Sequence, residues 1–251
     1  MIVCKKISLL GKFEKLVFVS NWQMQSYINY YKIPWYKCVV LQNAIEPIPS
    51  IEKKYDKIKL IYHTTPHRGL GLLVPVFIKL AEKYDNIELD VFSSFKIYGW
   101  EQRDEPYQAL FDLCKEHPKI NYHGYQPNEV VRKSLQEAHI FAYPSTWMET
   151  SCIALLEAMS AKCLCVHSNY GALYETGANL TWMYQYQEDS RDHVVMLYNE
   201  LERAIVNIEN KNLINSLETN KSYVDVMYNW ERRTQQWETF LTEILVRKNR
   251  L

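Results

Sequence analysis

Neither charge is in excess in this 251-residue sequence: 29 lysines and arginines are matched by 29 aspartates and glutamates. A balanced chain lacks the basic field that gathers nucleic acid or an anionic membrane surface, so no nucleic-acid partner is expected. Long apolar runs are missing as well. None approaches the ~18 to 20 residues of a bilayer span, and the opening MIVCKKISLLGKFEK has neither the apolar core nor the small-residue cleavage site of a secretory leader. Cysteine is thinly scattered, with Cys4, Cys38, Cys114, Cys152, Cys163 and Cys165 mostly inside apolar stretches. That distribution suits reduced thiols in a cytoplasmic protein better than a disulfide framework. Cys163 and Cys165 have no second ligand pair at a usable spacing, so they read as small core hydrophobes and no metal site is expected. Glycine is scarcer still. Only seven occur, under half the usual ~7% share, so each retained glycine carries information.

Against these absences, the sequence is 47% hydrophobic and 23% charged, a globular balance in a chain long enough to bury a substantial core. Short β-rich runs at 16–20, 38–42, 58–63, 87–93, 120–124, 139–145 and 163–168 alternate with helical patterns at 21–31, 69–83, 104–116, 128–137 and 150–160. That order predicts an α/β fold, a Rossmann-like parallel sheet with helices on both faces. Several strands are apolar nearly throughout, as strands covered on both sides should be. From Ser190 onward no strand is visible, only helical periodicity such as Val194, Leu197, Leu201, Ile205 and then Trp230, Trp237, Leu241, Leu245. Pro47 and Pro49 make 44–57 an extended connector.

Two segments carry candidate chemistry. In YHTTPHRGLGLLVPVF, Gly69 and Gly71 follow a strand and open a helix, where free amides and the positive helix end favour an anion, and Arg68 adds a full charge. The plain alternative is a loop with a solvated arginine, because the pattern is neither a Walker loop nor G-x-G-x-x-G. His67, adjacent in this loop, is the one histidine of interest; His123 and His139, in or beside strands, read as structural. In PSTWMETSCIALLEAMSAKCLCV, a strand ends at Ser145 and Glu149 stands at the start of a helix with Glu157 eight positions on. On a helix that spacing leaves the two carboxylates about 80° apart in facing and at different heights, able to address two parts of one elongated ligand. Glu157 is surrounded by Ile153, Ala154, Leu155, Leu156, Ala158 and Met159, and a buried carboxylate requires donors. An exposed stripe on a buried helix explains Glu157 equally well, and the helix dipole alone explains Glu149. Glu88 and Asp90, the nearest approach to D-x-D, read as the exterior of a strand.

The run RGL (68–70), HGYQPNEVV (123–131), YPS followed by ETSCIALLEAM (149–159) and NYGALYET (169–176) resembles the donor-binding half of retaining GT-B glycosyltransferases of group 1, whose hallmark is a Glu-x7-Glu motif. FVSNWQ (18–23) and LQNAIEP (41–47) are similar to the last β-α-β and linker of that family's N-terminal domain, and WERRTQQWETFL (230–241) to its crossing C-terminal helix. The resemblance implies three parts: a remnant of the acceptor domain with linker at 1–45, a nucleotide-sugar-binding domain at 46–228 and the crossing helix at 229–251. It implies that Glu157 receives ribose hydroxyls, that Glu149 meets the donor sugar, and that Arg68 neutralises the diphosphate, making Glu149, Glu157 and Arg68 the catalytic set. Gly69, Ser145 and the amides of Thr150, Ser151 and Cys152 would face sugar and phosphate, with Tyr125 near the base. No cofactor and no metal are implied; the nucleoside-diphosphate sugar is the substrate.

The sequence also departs from that pattern. His63 stands where many members place a second cation, Lys162 stands where a glycine usually follows the motif helix, and only about 43 residues precede the linker. The expected activity is transfer of a sugar from a nucleoside diphosphate to an acceptor of unspecified kind, with retention, the acceptor half being supplied by a partner domain or chain. The alternatives are a nucleotide-sugar-binding module without transferase activity of its own, and a GT-B-like epimerase, for which no further acid/base pair is visible.

Overall fold

A computed structural model describes residues 11–248; Cys4 and the opening decapeptide lie outside the described residues. Along the chain run β1 (Leu16–Phe18), α1 (Asn21–Tyr31), β2 (Cys38–Val40), β3 (Ile58–Tyr62), α2 (Leu70–Lys83), β4 (Ile87–Val91), α3 (Gln108–Glu116), β5 (Ile120–Tyr122), α4 (Asn128–Glu137), β6 (Ile140–Tyr143), α5 (Ile153–Ser160), β7 (Leu164–Ser168), α6 (Leu173–Gly177), β8 (Trp182–Tyr184), α7 (Ser190–Asn207), α8 (Lys211–Met227) and α9 (Trp230–Lys248). β1 and β2 pair in parallel as a separate two-stranded sheet, and the remaining strands form one sheet in the order β5-β4-β3-β6-β7-β8, parallel throughout. The Rossmann-like α/β architecture read from the sequence is therefore the observed one.

Burial follows position in the sheet. β6 and β7, in its middle, are buried at every residue, as strands covered by helices on both faces must be. α2 turns Leu70, Leu73, Val74, Phe77, Leu80 and Ala81 inward, a helical stripe that closes one face. No described helix is long and apolar enough to cross a membrane, and the five cysteines among the described residues are unpaired thiols, Cys163 and Cys165 buried in the core.

The expected elements need correction at several places. Most strands are shorter than their apolar runs; that at 139–145, for example, pairs only over Ile140–Tyr143. The helix expected at 104–116 is a 3-10 segment, Glu101–Tyr107, containing Pro106, followed by α3 from Gln108. The helix expected from Thr150 starts at Ile153, with Cys152 extended at its N-cap. α6 and β8 were not anticipated; at five and three residues they are too short to show periodicity. The linker is extended as expected and is pinned along its length: the Ile48 amide donates to Ser160 Oγ (2.8 Å), and Arg132 and Gln136 donate to the Pro47 and Pro49 carbonyls.

The leading β1-α1-β2 piece meets the larger sheet through a helix end. Both oxygens of Glu175 accept from the first turn of α1, from the Asn21 amide and side chain and from the Trp22 amide, at 2.8–2.9 Å. α9 begins beside the linker, where Ile45 bridges Asn229 and buried Arg233 donates to the Asn43 carbonyl (3.2 Å). Trp230, Trp237, Leu241 and Leu245 remain exposed along α9.

Candidate functional site

Strands β4 and β5 extend the sheet to one side of β3, while β6, β7 and β8 extend it to the other. The chain reverses its direction of travel across the sheet between β3 and β6, and in open α/β sheets ligands bind in the crevice at the carboxyl ends of the strands at such a switch point. A cleft of about 610 Å³ lies there, walled by the segments that leave β3 (His63–Thr65, Arg68), β4 (Phe92–Ser94), β5 (Gly124–Gln126) and β6 (Trp147–Cys152), and by α5 as far as Glu157.

Arg68 ends a 3-10 turn, Pro66–Arg68, that breaks into α2 at Gly69, φ +116°. A Cβ on Gly69 would lie 2.1 Å from the Pro144 carbonyl oxygen, so glycine is what lets this turn pack against the loop after β6. Arg68 is half-buried and paired instead of freely solvated: its Nη1 donates to Glu149 Oε1 at 2.6 Å. The Tyr143 hydroxyl donates to the same oxygen. Burial pushes the Glu149 carboxyl above its ordinary range, and the Arg68 charge and the Tyr143 bond pull it part of the way back. For Arg68, burial opposes the charge, but the facing Glu149 outweighs it and keeps the guanidinium protonated.

Glu149 lies in a loop rather than on a helix, which corrects the facing argument made from the eight-residue spacing. Its backbone is held by a bridge to Gly171 and by the Ala172 amide, which donates to the Glu149 carbonyl at 2.7 Å. Glu157 is only 7% exposed, so the exposed-stripe alternative does not hold. Donors from α4 reach it, Asn128 Nδ2 at 3.2 Å and, more loosely, Arg132 Nη1 at 3.5 Å. Part of its polar demand is thus met within the chain.

Of the remaining candidates, Tyr125, Thr150, Ser151 and Cys152 line the cleft. Thr150, Ser151 and Cys152 precede α5 instead of forming its first turn, with no side-chain oxygen capping that helix and the Ala154 and Leu155 amides beside the Cys152 thiol. Gly69 and Ser145 stand behind the wall: Ser145 is fully buried, and its hydroxyl donates to the Trp147 carbonyl. His67 stacks on Phe95 and packs edge-on to Trp147, a structural role. Glu88 pairs with Lys57, and Asp90 pairs with His123 at 2.7 Å. Among the described residues no group of three or more His, Cys, Asp or Glu side chains is placed to hold a metal ion.

Sequence reasoning did not single out Tyr143, Asn128, Arg132 or Gly171, all of which position the two carboxylates. It also could not show which polar atoms are unpaired. Among the described residues, nine buried side-chain polar atoms lack a hydrogen-bond partner, and five of them belong to residues of this one cleft: His63 Nε2, Thr64 Oγ1, Thr65 Oγ1, Arg68 Nε and Ser93 Oγ. Buried polar atoms are normally satisfied; these five are sealed from solvent within the wall of the cleft.

The fold and the place of the cleft define a Rossmann-like α/β protein of the kind that binds ligands at a switch point. The chain belongs to the family of glycosyl transferases group 1, whose model matches residues 42–182, more than half its length. A glycosyltransferase from Rickettsia africae ESF-5 superposes with a TM-score of 0.77 at 16% identity, over 96% of this chain and 68% of its own. Sucrose-phosphate synthase from Thermosynechococcus elongatus gives 0.75 at 14%, over 94% and 60%. The pneumococcal O-GlcNAc transferase GtfA, solved with UDP and GlcNAc, gives 0.70 at 11%, over 95% and 47%. At these identities the likeness is one of fold, and the chain spans only part of each of these structures. No curated protein matches it significantly.

Proposed function

We propose that the chain is the donor-binding part of a retaining glycosyltransferase, which binds a nucleoside-diphosphate sugar in the cleft and passes the sugar to an acceptor held by elements such as those its longer structural relatives carry. The observation that carries this reading is the gathering of Arg68 and two buried carboxylates in one cleft at the switch point. Glu149 and Glu157 are assigned the Glu-x7-Glu roles, Glu149 on the sugar and Glu157 on the ribose. Arg68 and the start of α5 take the diphosphate, whose charge grows as the sugar leaves and so rewards donors already in place. No metal is needed in this scheme. The two separate sheets and the long α9 support a division at about residues 45 and 229 into the end of an acceptor-side domain, the donor unit and a crossing helix.

Calorimetry with UDP, GDP and dTDP sugars tests the reading. One of them should bind and raise the unfolding free energy by about 2.7 kcal/mol at a hundredfold excess over Kd. Glu157→Ala should keep the far-UV spectrum and lose at least about tenfold in affinity, the worth of one charge-assisted hydrogen bond. Affinity unchanged within about twofold would remove Glu157 from the site.

A further inference from the structure

Behind the cleft, α4 joins the Glu157 carboxylate to the linker. Arg132 projects from α4 and stands outside the set of residues that line the cleft. Its guanidinium serves two acceptors from distant parts of the chain: Nη1 faces Glu157 Oε1 at 3.5 Å, and Nη2 donates to the Pro47 carbonyl at 3.1 Å. Both contacts that described side chains make to Glu157, from Asn128 and from Arg132, fall on Oε1. That leaves Oε2 to a ligand in the cleft, which Glu157 lines.

The linker end of this connection is held firmly. Proline fixes φ and has no amide to donate, so the polar handles of 47–49 are three carbonyls and the Ile48 amide. All four are taken. The carbonyls of Pro47, Ile48 and Pro49 accept from Arg132, from Lys221 Nζ at 2.5 Å and from Gln136 at 2.9 Å, and the Ile48 amide donates to Ser160 Oγ at 2.8 Å. Among the described residues only Arg132 bonds to both ends: Asn128 holds Glu157 without the linker, and Gln136 and Lys221 hold the linker without Glu157.

We propose that Arg132 is a positioning residue that makes the linker part of the donor site: seated on the Pro47 carbonyl, it fixes the Glu157 carboxylate for a ligand hydroxyl, so donor binding and the seating of the linker strengthen each other. The inference rests on the nucleotide-sugar reading above and adds to it the coupling between the cleft and residues 47–49.

The geometry sets the sign of the coupling. A mobile glutamate loses rotamer freedom when a ligand orders it, whereas a carboxylate already held at Oε1 has little left to lose. Conversely, a hydroxyl on Oε2 fixes the acceptor that Nη1 faces, and a planar fork with one arm fixed has its other arm aimed as well. At 3.5 Å the Nη1 contact is loose and has room to tighten. Coupling of two binding equilibria is reciprocal, so whatever factor the seated linker adds to donor affinity, the donor adds to the seating of the linker.

The test uses the full chain with UDP-, GDP- and dTDP-glucose, reading affinity by calorimetry and the linker by hydrogen exchange at the Ile48 amide. In the wild-type chain a saturating sugar nucleotide should slow Ile48 exchange roughly three- to tenfold. Arg132→Gln should bind roughly three- to tenfold more weakly, and its Ile48 exchange should no longer respond to the ligand. Arg132→Lys, which keeps the charge without the fork, should regain part of the affinity. In a Glu157→Gln background, Arg132→Gln should cost less than about twofold more, because it acts through that carboxylate. If Arg132→Gln loses its far-UV spectrum, Arg132→Lys takes its place, and its Ile48 response must be weaker than that of the wild type. Ile48 exchange that ignores the ligand in the wild-type chain, or responds fully in the Arg132 variants, overturns the proposal while leaving the donor reading intact. Losses from Arg132→Gln and Glu157→Gln that multiply overturn it too. If none of the three sugars binds, both readings fall together.

Discussion

Gly171 has no side chain, yet it sets where a carboxylate sits. At φ +67° it occupies the left-handed region, and a Cβ there would come within 2.4 Å of the Glu149 carbonyl oxygen and 2.7 Å of its amide nitrogen. Gly171→Ala therefore forces either the backbone or the Glu149 loop to move, and should cost about 1–3 kcal/mol in urea unfolding; a loss under about 0.5 kcal/mol would mean that the loop yields freely. Arg68 acts by charge. Arg68→Ala should weaken binding of a nucleoside diphosphate at least about tenfold and hardly affect the bare nucleoside; equal losses for the two ligands would make Arg68 structural. Arg68, Glu149 and Glu157 could be singled out from the sequence because a cation beside glycine and two carboxylates in an apolar run are locally odd. Their partners could not be: Tyr143 is six residues from Glu149 and looks like any strand aromatic, while Gly171 and Arg68 reach Glu149 from distant segments.

Elements show the same division. The central strands and α2, α4 and α5 were legible because each is either apolar throughout or striped with helical period. The start of α5 was not, since Met148–Cys152 has no helix-breaking residue; its backbone is drawn out of the helix by the bridge between Glu149 and Gly171. The far end of α5 carries a cost written in the sequence. Lys162 sits at φ +57° directly after the helix, with its amide on the Met159 carbonyl and the Cys163 amide on the Ala158 carbonyl, a reversal usually given to glycine. Left-handed backbone costs a side-chain-bearing residue roughly 1–2 kcal/mol. The ion pair of Lys162 with half-exposed Glu218 at 2.8 Å offsets little of this. Lys162→Gly should thus stabilise the chain by about 1 kcal/mol in urea unfolding. Destabilisation would show that the aliphatic stem of Lys162 packs better than the backbone strain costs.

At the scale of the whole molecule, the sheet buries imidazoles as neutral groups, and this sets how its stability depends on pH. His139 is 2% exposed; its Nδ1 accepts from the Lys59 amide at 3.0 Å, and burial together with the nearby Lys53 and Lys59 charges holds it at about 4. His167 is fully buried between the Ser168 carbonyl and Thr181 Oγ1, each at 2.8 Å, and burial likewise holds it at about 4. In the unfolded chain both would titrate near 6.5. Between about pH 6.5 and 4 the unfolded state therefore binds more protons than the folded one, so stability rises with pH across that window and is lost as the pH falls through it. Moving from pH 7 to pH 5.5 should cost about 1 kcal/mol per histidine, on the order of 2 kcal/mol for the pair. Urea unfolding at the two pH values measures the loss. His139→Gln and His167→Gln should each remove roughly a third of the slope even where they lower stability overall, because an amide does not titrate and burial holds His63 at about 4 as well. A profile that keeps its full slope in both variants would place the acid sensitivity in groups other than these two histidines.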